Sequence, residues 1–318
     1  MTKPKVLIAC DLEGWAWDIK SRYIQKWLAP YYDIEIAYMC YSKKGLDKNL
    51  YDLYLSFGFA FNHYILNNKN KGKCITGLTA HRKKKQVIKA MNEISNHHAN
   101  SVLLYKELRE FGKKPFYVPN GVNEKLFRPI LPHFYRRLNL VIGHVGKSSP
   151  NKNQKKFIEP VMNEVESFYE PHYNDCFNKI PHDQMVNKYQ SFDMFIAAST
   201  EDGTPNGMLE AAACERSIII NKIGNAPEFI KSGYNGFLLN MDKEEYIDKI
   251  VWCQKNKDKV IEMGKNARKE ILKGWTWELM SRNYLFLFDS VLGIKRNKDL
   301  YENPALDHIP GYREEKGL

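Results

Sequence analysis

Short apolar runs alternate with amphipathic stretches through the first third of the chain. Apolar patterning predicts strands at 5–10, 34–39, 51–57, 73–78, 101–104 and 116–118, and helical spacing predicts helices at about 17–28, 82–96 and 105–111. Ile24, Trp27 and Leu28 keep helical spacing before Pro30 stops the run. Residues 119–137 read as a connector carrying Pro119, Pro129 and Pro132. A second alternation follows, with strands at about 139–145, 168–172, 193–198, 217–221 and 236–240. Its helices fall at about 153–166, 183–190, 206–214, 226–231, 243–254 and 256–272. A last strong helix, 276–292, sets Leu279, Tyr284, Leu285 and Phe288 on one side, and the rest is polar and weakly patterned.

Strands that alternate with helices imply parallel sheets covered by helices. The fold class expected is α/β, with two Rossmann-like doubly wound domains facing each other across a cleft. Residues 1–130 form the first domain, 131–292 the second, and 293–318 a tail or a strap back across the first. Ligands of such sheets bind at the carboxyl ends of the strands.

Composition narrows the class. The 318 residues are 43% hydrophobic and 27% charged, which excludes a disordered chain. No apolar run approaches the ~18 residues a membrane span needs, and Val6–Cys10 is too short for a signal-peptide core. A cytoplasmic protein is expected. The six cysteines, at 10, 40, 74, 176, 214 and 253, show neither Cys-x-x-Cys nor clustering with histidine, so they read as isolated thiols. Charge is lopsided: residues 1–137 hold 24 Lys and Arg against 11 Asp and Glu, a net of +13, while 138–318 net −2. An anionic partner of the first half is the physical reading.

The most informative stretch runs Ser199-Thr-Glu-Asp-Gly-Thr-Pro-Asn-Gly-Met-Leu-Glu-Ala-Ala-Ala-Cys214, after an apolar strand. It reads as a turn entering a helix, with Thr204 as N-cap and Pro205 at the first helical position. Amides at such a start can hold phosphate or sugar oxygens. Asp202 precedes the turn and Glu210 lies about one turn into the helix, so each carboxylate can accept from a diol.

This segment resembles the Glu-x7-Glu region of retaining glycosyltransferase family 4, usually Glu-Gly-x-Pro-Asn-x-x-Leu-Glu-Ala. Asp202, Gly203, Pro205, Asn206, Leu209, Glu210 and Ala211 fall in register. Three further segments resemble the family in order: Tyr117 to Pro129, its interdomain linker; Gly143 to Lys152, its Gly-Arg-x4-Lys loop; and Ile223 to Phe237, its Gly-Gly-x-x-Glu and Gly-x-x-Gly stretches. The resemblance implies the GT-B fold, retention of anomeric configuration, and no metal or other cofactor beyond a UDP-, GDP- or ADP-sugar co-substrate. It implies that Glu210 binds the ribose, and that Asp202, Gly203, Asn206, Gly207 and Met208 hold the donor sugar. Gly14 and Gly146 would line the donor, and Lys147 and Lys152 would clamp its pyrophosphate. Lys147 stands for the usual arginine, Asp202 for glutamate, Asn225 for a common second glycine, and Glu215 for a helix-ending glycine.

On the acceptor side, Gly14 permits close approach, while Trp15 or Trp17 suits either ring stacking or packing, beside Asp18. His81 stands where many relatives place a histidine near the donor sugar. The run Arg82, Lys83, Lys84 and Lys85 is the densest part of the positive charge. The function expected is a hexosyl- or pentosyltransferase acting on an anionic acceptor. That acceptor is either DNA carrying a hydroxymethylated base or a lipid-linked glycan at an acidic membrane, with no obligate protein partner. The competing reading is a catalytically silent relative that binds nucleic acid or sugar.

Overall fold

A computed structural model describes residues 2–40, 47, 49–67, 69–80, 84–130, 140–165, 167–173, 180–309 and 312–316. The chain divides into two compact units, 1–121 with 277–318, and 122–276.

In the first unit the strands are β1 (Lys5–Cys10), β2 (Asp33–Tyr38), β3 (Leu53–Ser56), β4 (Cys74–Leu78), β5 (Asn96–Ala99) and β6 (Pro115–Tyr117), in the order β2-β1-β3-β4-β5-β6. Every pairing is parallel; Ile8 lies between Ile36 and Leu55. Val6 to Cys10 are fully buried, as a central parallel strand covered on both faces requires. The helices are α1 (Ala16–Leu28), α2 (Asn62–Ile65), α3 (Lys84–Glu93) and α4 (Val102–Glu110).

In the second unit α5 (Glu159–Glu164), α6 (Met185–Ser191), α7 (Asn206–Ala213), α8 (Ala226–Phe229), α9 (Lys243–Lys255) and α10 (Lys257–Gly274) accompany five strands. These are β7 (Val141–Gly146), β8 (Phe168–Tyr173), β9 (Met194–Ala197), β10 (Ser217–Asn221) and β11 (Phe237–Leu239), in the parallel order β11-β10-β9-β7-β8.

The expected domain boundaries need correction at both ends. The break after the first sheet lies at Gly121, and helix α11 (Trp277–Leu292) belongs to the first unit. Its Trp277 stacks on Tyr23 at 5.3 Å, and Phe288 meets Tyr32 edge-on at 5.5 Å. Helical periodicity shows that a helix has an apolar face, not which sheet that face covers. Buried Asp289 then anchors the segment that follows. It accepts from Tyr32 Oη at 2.6 Å, from Tyr301 Oη at 2.9 Å, and from Arg296 Nε. In α12 (Tyr312–Lys316), Lys316 Nζ donates to Asn283 Oδ1, Tyr301 O and Tyr312 Oη.

The strand expected at 101–104 is also displaced. The strand is Asn96–Ala99, and Val102–Glu110 is helix, started by Ser101 whose Oγ accepts from Leu104 N at 3.3 Å. Two buried histidines, His97 and His98, hid the strand from a reading based on apolar runs. The His98 ring occupies space that glycine leaves, since a Cβ on Gly77 would lie 2.2 Å from it.

Near His98, Lys20 of α1 is 3% exposed, and its ammonium sits 4.5 Å from the Phe57 ring and 5.3 Å from the Tyr284 ring. Among the described residues no carboxylate forms an ion pair with it. Burial pulls its pKa from the ordinary 10.5 down to about 7. The unfolded chain therefore binds the extra proton between those values, and native stability must rise with pH across that window and be lowest below it. Urea unfolding should show Lys20→Met more stable than the parent at pH 7, with the difference shrinking toward pH 10.5.

Candidate functional site

The second unit gathers its candidate residues where β7 and β9 end. Beyond β7 the chain passes Lys147, makes a short turn at Pro150–Lys152 and puts Asn153 in the left-handed region, φ 52°. A buried relay holds this loop. His144 Nδ1 donates to Ile196 O at 2.8 Å, and Gln154 Nε2 donates both to His144 Nε2, at 2.9 Å, and to Lys147 O, at 3.0 Å. Burial keeps the His144 pKa down at about 4, so the imidazole stays neutral and accepts at Nε2. Gly146 is needed for this packing, because a Cβ there would lie 2.9 Å from His144 Nε2.

The loop after β9 is tied to the first. Asn153 Nδ2 donates to Ala198 O at 3.0 Å and Thr200 N to Asn151 O at 2.9 Å, while Asn221 bonds both N and O of Ser199. Lys152 Nζ forms an ion pair with Asp202. Behind Gly203 the backbone of Asn225 donates to Gly203 O at 3.1 Å. Gly224, at φ +53°, comes so close that a Cβ would lie 2.5 Å from the same oxygen.

Helix α7 begins at Asn206 with Pro205, not Thr204, as its N-cap, and the cap makes no side-chain hydrogen bond. The expected Thr204 cap is therefore corrected: Pro205 is non-helical, φ −70° and ψ 84°, which moves the helix start one residue on. At the far end Glu215 takes φ 61°, with Glu215 N on Ala212 O and Arg216 N on Ala211 O. This is the closing turn that glycine usually makes.

Glu210 lies in the second turn of α7, 9% exposed. Its Oε2 accepts from Tyr189 Oη at 2.5 Å and its Oε1 from His182 Nε2 at 3.3 Å. Burial and the neighbouring carboxylate push the Tyr189 pKa well above its ordinary value, so the phenol keeps its proton and donates. Phe127 packs edge-on against both His182, at 5.1 Å, and Tyr189, at 5.7 Å. Arg268 ties α7 down from behind by donating to Ala213 O and Phe127 O.

The expected residues thus fall into groups. Lys152 and Asp202 meet directly. Asn206 and Gly207 open α7, whereas Met208 and Gly203 are buried, and Lys147 is exposed on its loop. In the first unit Gly14 has φ 71°, which glycine suits. Asp18 is corrected: it is 1% exposed and accepts from Gly14 N at 2.7 Å, Tyr38 Oη at 2.6 Å and Arg22 Nε, so it braces the Gly14 turn instead of facing an acceptor. Trp17 packs on Phe57 and Phe61, and Trp15 is half-buried. His81, Arg82 and Lys83 lie outside the described residues; α3 opens at Lys84, and Lys85 is exposed. Among the described residues no group of three or more His, Cys, Asp or Glu is placed to hold a metal. No described helix is long and apolar enough to cross a membrane.

Residues 175–256 match the family model described as Glycosyl transferases group 1. The Anabaena protein HepE, solved with UDP and glucose, superposes with a TM-score of 0.69 at 15% identity, over 90% of this chain and 100% of that one. Sucrose-phosphate synthase from Thermosynechococcus elongatus gives 0.69 at 12%, over 92% and 100%. The chain has the GT-B fold of these structures. A UDP-Gal:alpha-D-GlcNAc-diphosphoundecaprenol alpha-1,3-galactosyltransferase of Escherichia coli is 24% identical over 64% of this chain and 58% of the relative. An N,N'-diacetylbacillosaminyl-diphospho-undecaprenol alpha-1,3-N-acetylgalactosaminyltransferase of Campylobacter jejuni is 26% identical over 34% and 29%. The chain thus matches little more than half the length of the first relative and under a third of the second.

Sequence reading missed His144, Gln154, His182 and Tyr189. None belongs to a recognisable short pattern, and each matters through a partner distant in sequence. Gln154→Leu should remove the amide that donates to buried His144 Nε2 and to Lys147 O and cost ~1–3 kcal/mol, measured by chemical denaturation.

Proposed function

We propose that the chain moves a sugar from a nucleoside-diphosphate sugar to a saccharide carried on an anionic lipid, with retention of configuration and without a metal. The observation that carries this reading is Glu210. It is a buried carboxylate on α7, eight residues beyond Asp202, and its only hydrogen-bond donors among the described residues are one phenol and one imidazole. Such a group has acceptor capacity left for the hydroxyls of a ribose.

In this proposal Asp202 and the backbone at Asn206, Gly207 and Met208 hold the donor sugar. Lys147, Lys152 and the uncapped start of α7 stabilise the departing diphosphate, the charge that grows as the glycosidic bond breaks. The acceptor hydroxyl attacks on the leaving group's face and passes its proton to the phosphate, so no protein nucleophile is required. Two observations favour a lipid-linked acceptor: relatives whose names specify diphosphoundecaprenol-linked acceptors, and the net +13 of residues 1–137.

Thermal shift with UDP, GDP and ADP should show stabilisation by at least one of them, about 2.7 kcal/mol at a hundredfold excess over its dissociation constant. Glu210→Ala should abolish the shift. Stabilisation by none would sink the donor site and leave the silent relative standing. Transfer assays should then label a lipid-diphosphate saccharide, and label found solely on hydroxymethylated duplex DNA would replace the lipid with nucleic acid.

A further inference from the structure

We propose that Tyr189 is a positioning residue that decides which face of Glu210 reads the donor's ribose. This rests on the donor-site reading above. Tyr189 is fully buried, and Phe127, Phe192 and Phe195 surround its ring at centroid distances of 5.7, 6.0 and 6.3 Å. The hydroxyl therefore has one place to go, and it goes to Glu210 Oε2 at 2.5 Å. Gly207 leaves the room for it: a Cβ there would lie 3.3 Å from the same hydroxyl.

The consequence is an asymmetric carboxylate. Oε2 is committed inward to a phenol that keeps its proton. Oε1 has only His182 Nε2, at 3.3 Å, and the His182 side chain is 20% exposed. A carboxylate offers about four acceptor directions and two are used here. Among the described residues neither lysine nor arginine pairs with it. Burying a carboxyl group with unused acceptor directions is costly unless something else supplies donors to them. A vicinal diol does so at Oε1, and His182 stands at the edge of that position to share the oxygen or cover the nucleoside.

If Tyr189 only filled space, removing its hydroxyl would weaken all ligands of the site alike. If it aims Glu210, the loss falls on ligands with a full ribose diol. The test is to measure dissociation constants of UDP, GDP and ADP and of their 2′-deoxy counterparts by calorimetry, on the parent, Tyr189→Phe and His182→Phe. Hydrogen bonds to a charged group predict that the parent prefers the ribose form on the order of tenfold or more. Tyr189→Phe should reduce that preference to about threefold or less, with the deoxy constant unchanged. His182→Phe keeps a ring against Phe127, tolerates partial exposure and should also lower the preference, so it serves if Tyr189→Phe folds poorly. A parent-like preference in Tyr189→Phe, or parallel weakening of both forms, overturns the positioning role. A parent that binds both forms equally overturns the ribose assignment of Glu210 instead, and the two failures are told apart by the parent alone.

Discussion

The second unit depends on how closely helix α7 lies on the strands beneath it. A side chain at Gly207 would meet Val145 O and the Phe195 ring, each at 3.1 Å. Ala211, Ala212 and Ala213 are fully buried, and α10 comes so near that a Cβ on Gly264 would lie 2.1 Å from Glu215 O. Small residues on these surfaces let the helix sit where its second turn carries a carboxylate against a buried phenol. Arg268 then spends its guanidinium on backbone carbonyls, linking the end of α7 to the turn at Phe127. A bulkier residue at 207 would not remove any functional group, yet it would press on Val145 O, the Phe195 ring and the Tyr189 hydroxyl that Glu210 accepts from.

The strand and helix alternation, the parallel sheets and the lysine–carboxylate segments were legible in the sequence, because each is a local pattern. Asp202, Glu210 and Lys152 were singled out through the resemblance of their segments to a family's motifs. Tyr189 and His182 were not, since what matters about them is the fold-made meeting with a residue 21 or 28 positions away. The same limit misplaced α11. Its apolar face is plain in the sequence, but Arg296 and Lys316, in the segments that follow, are held by Asp289, Asn283 and Tyr301, polar residues with no periodic signature. Asp18 erred in the other direction. An acidic residue after the first strand looks like a ligand contact until Gly14, Arg22 and Tyr38 are seen to occupy it.

The departures from the family pattern acquire a physical meaning on this scaffold. At 215 a glutamate takes the left-handed turn that glycine usually makes, at a conformational cost of about 1–2 kcal/mol, and leaves both closing hydrogen bonds in place. That substitution touches the helix end and not the chemistry. At 202 the change is different in kind. An aspartate is one methylene shorter than the usual glutamate, and here its carboxylate lies against Lys152, whose loop is itself bound to the loop after β9 through Asn153 and Asn151. The pair therefore joins two loops that the backbone already holds together. In the proposed donor site, an incoming diphosphate would compete with Asp202 for that lysine. Within that proposed site the shorter carboxylate would couple sugar recognition to phosphate recognition through that lysine.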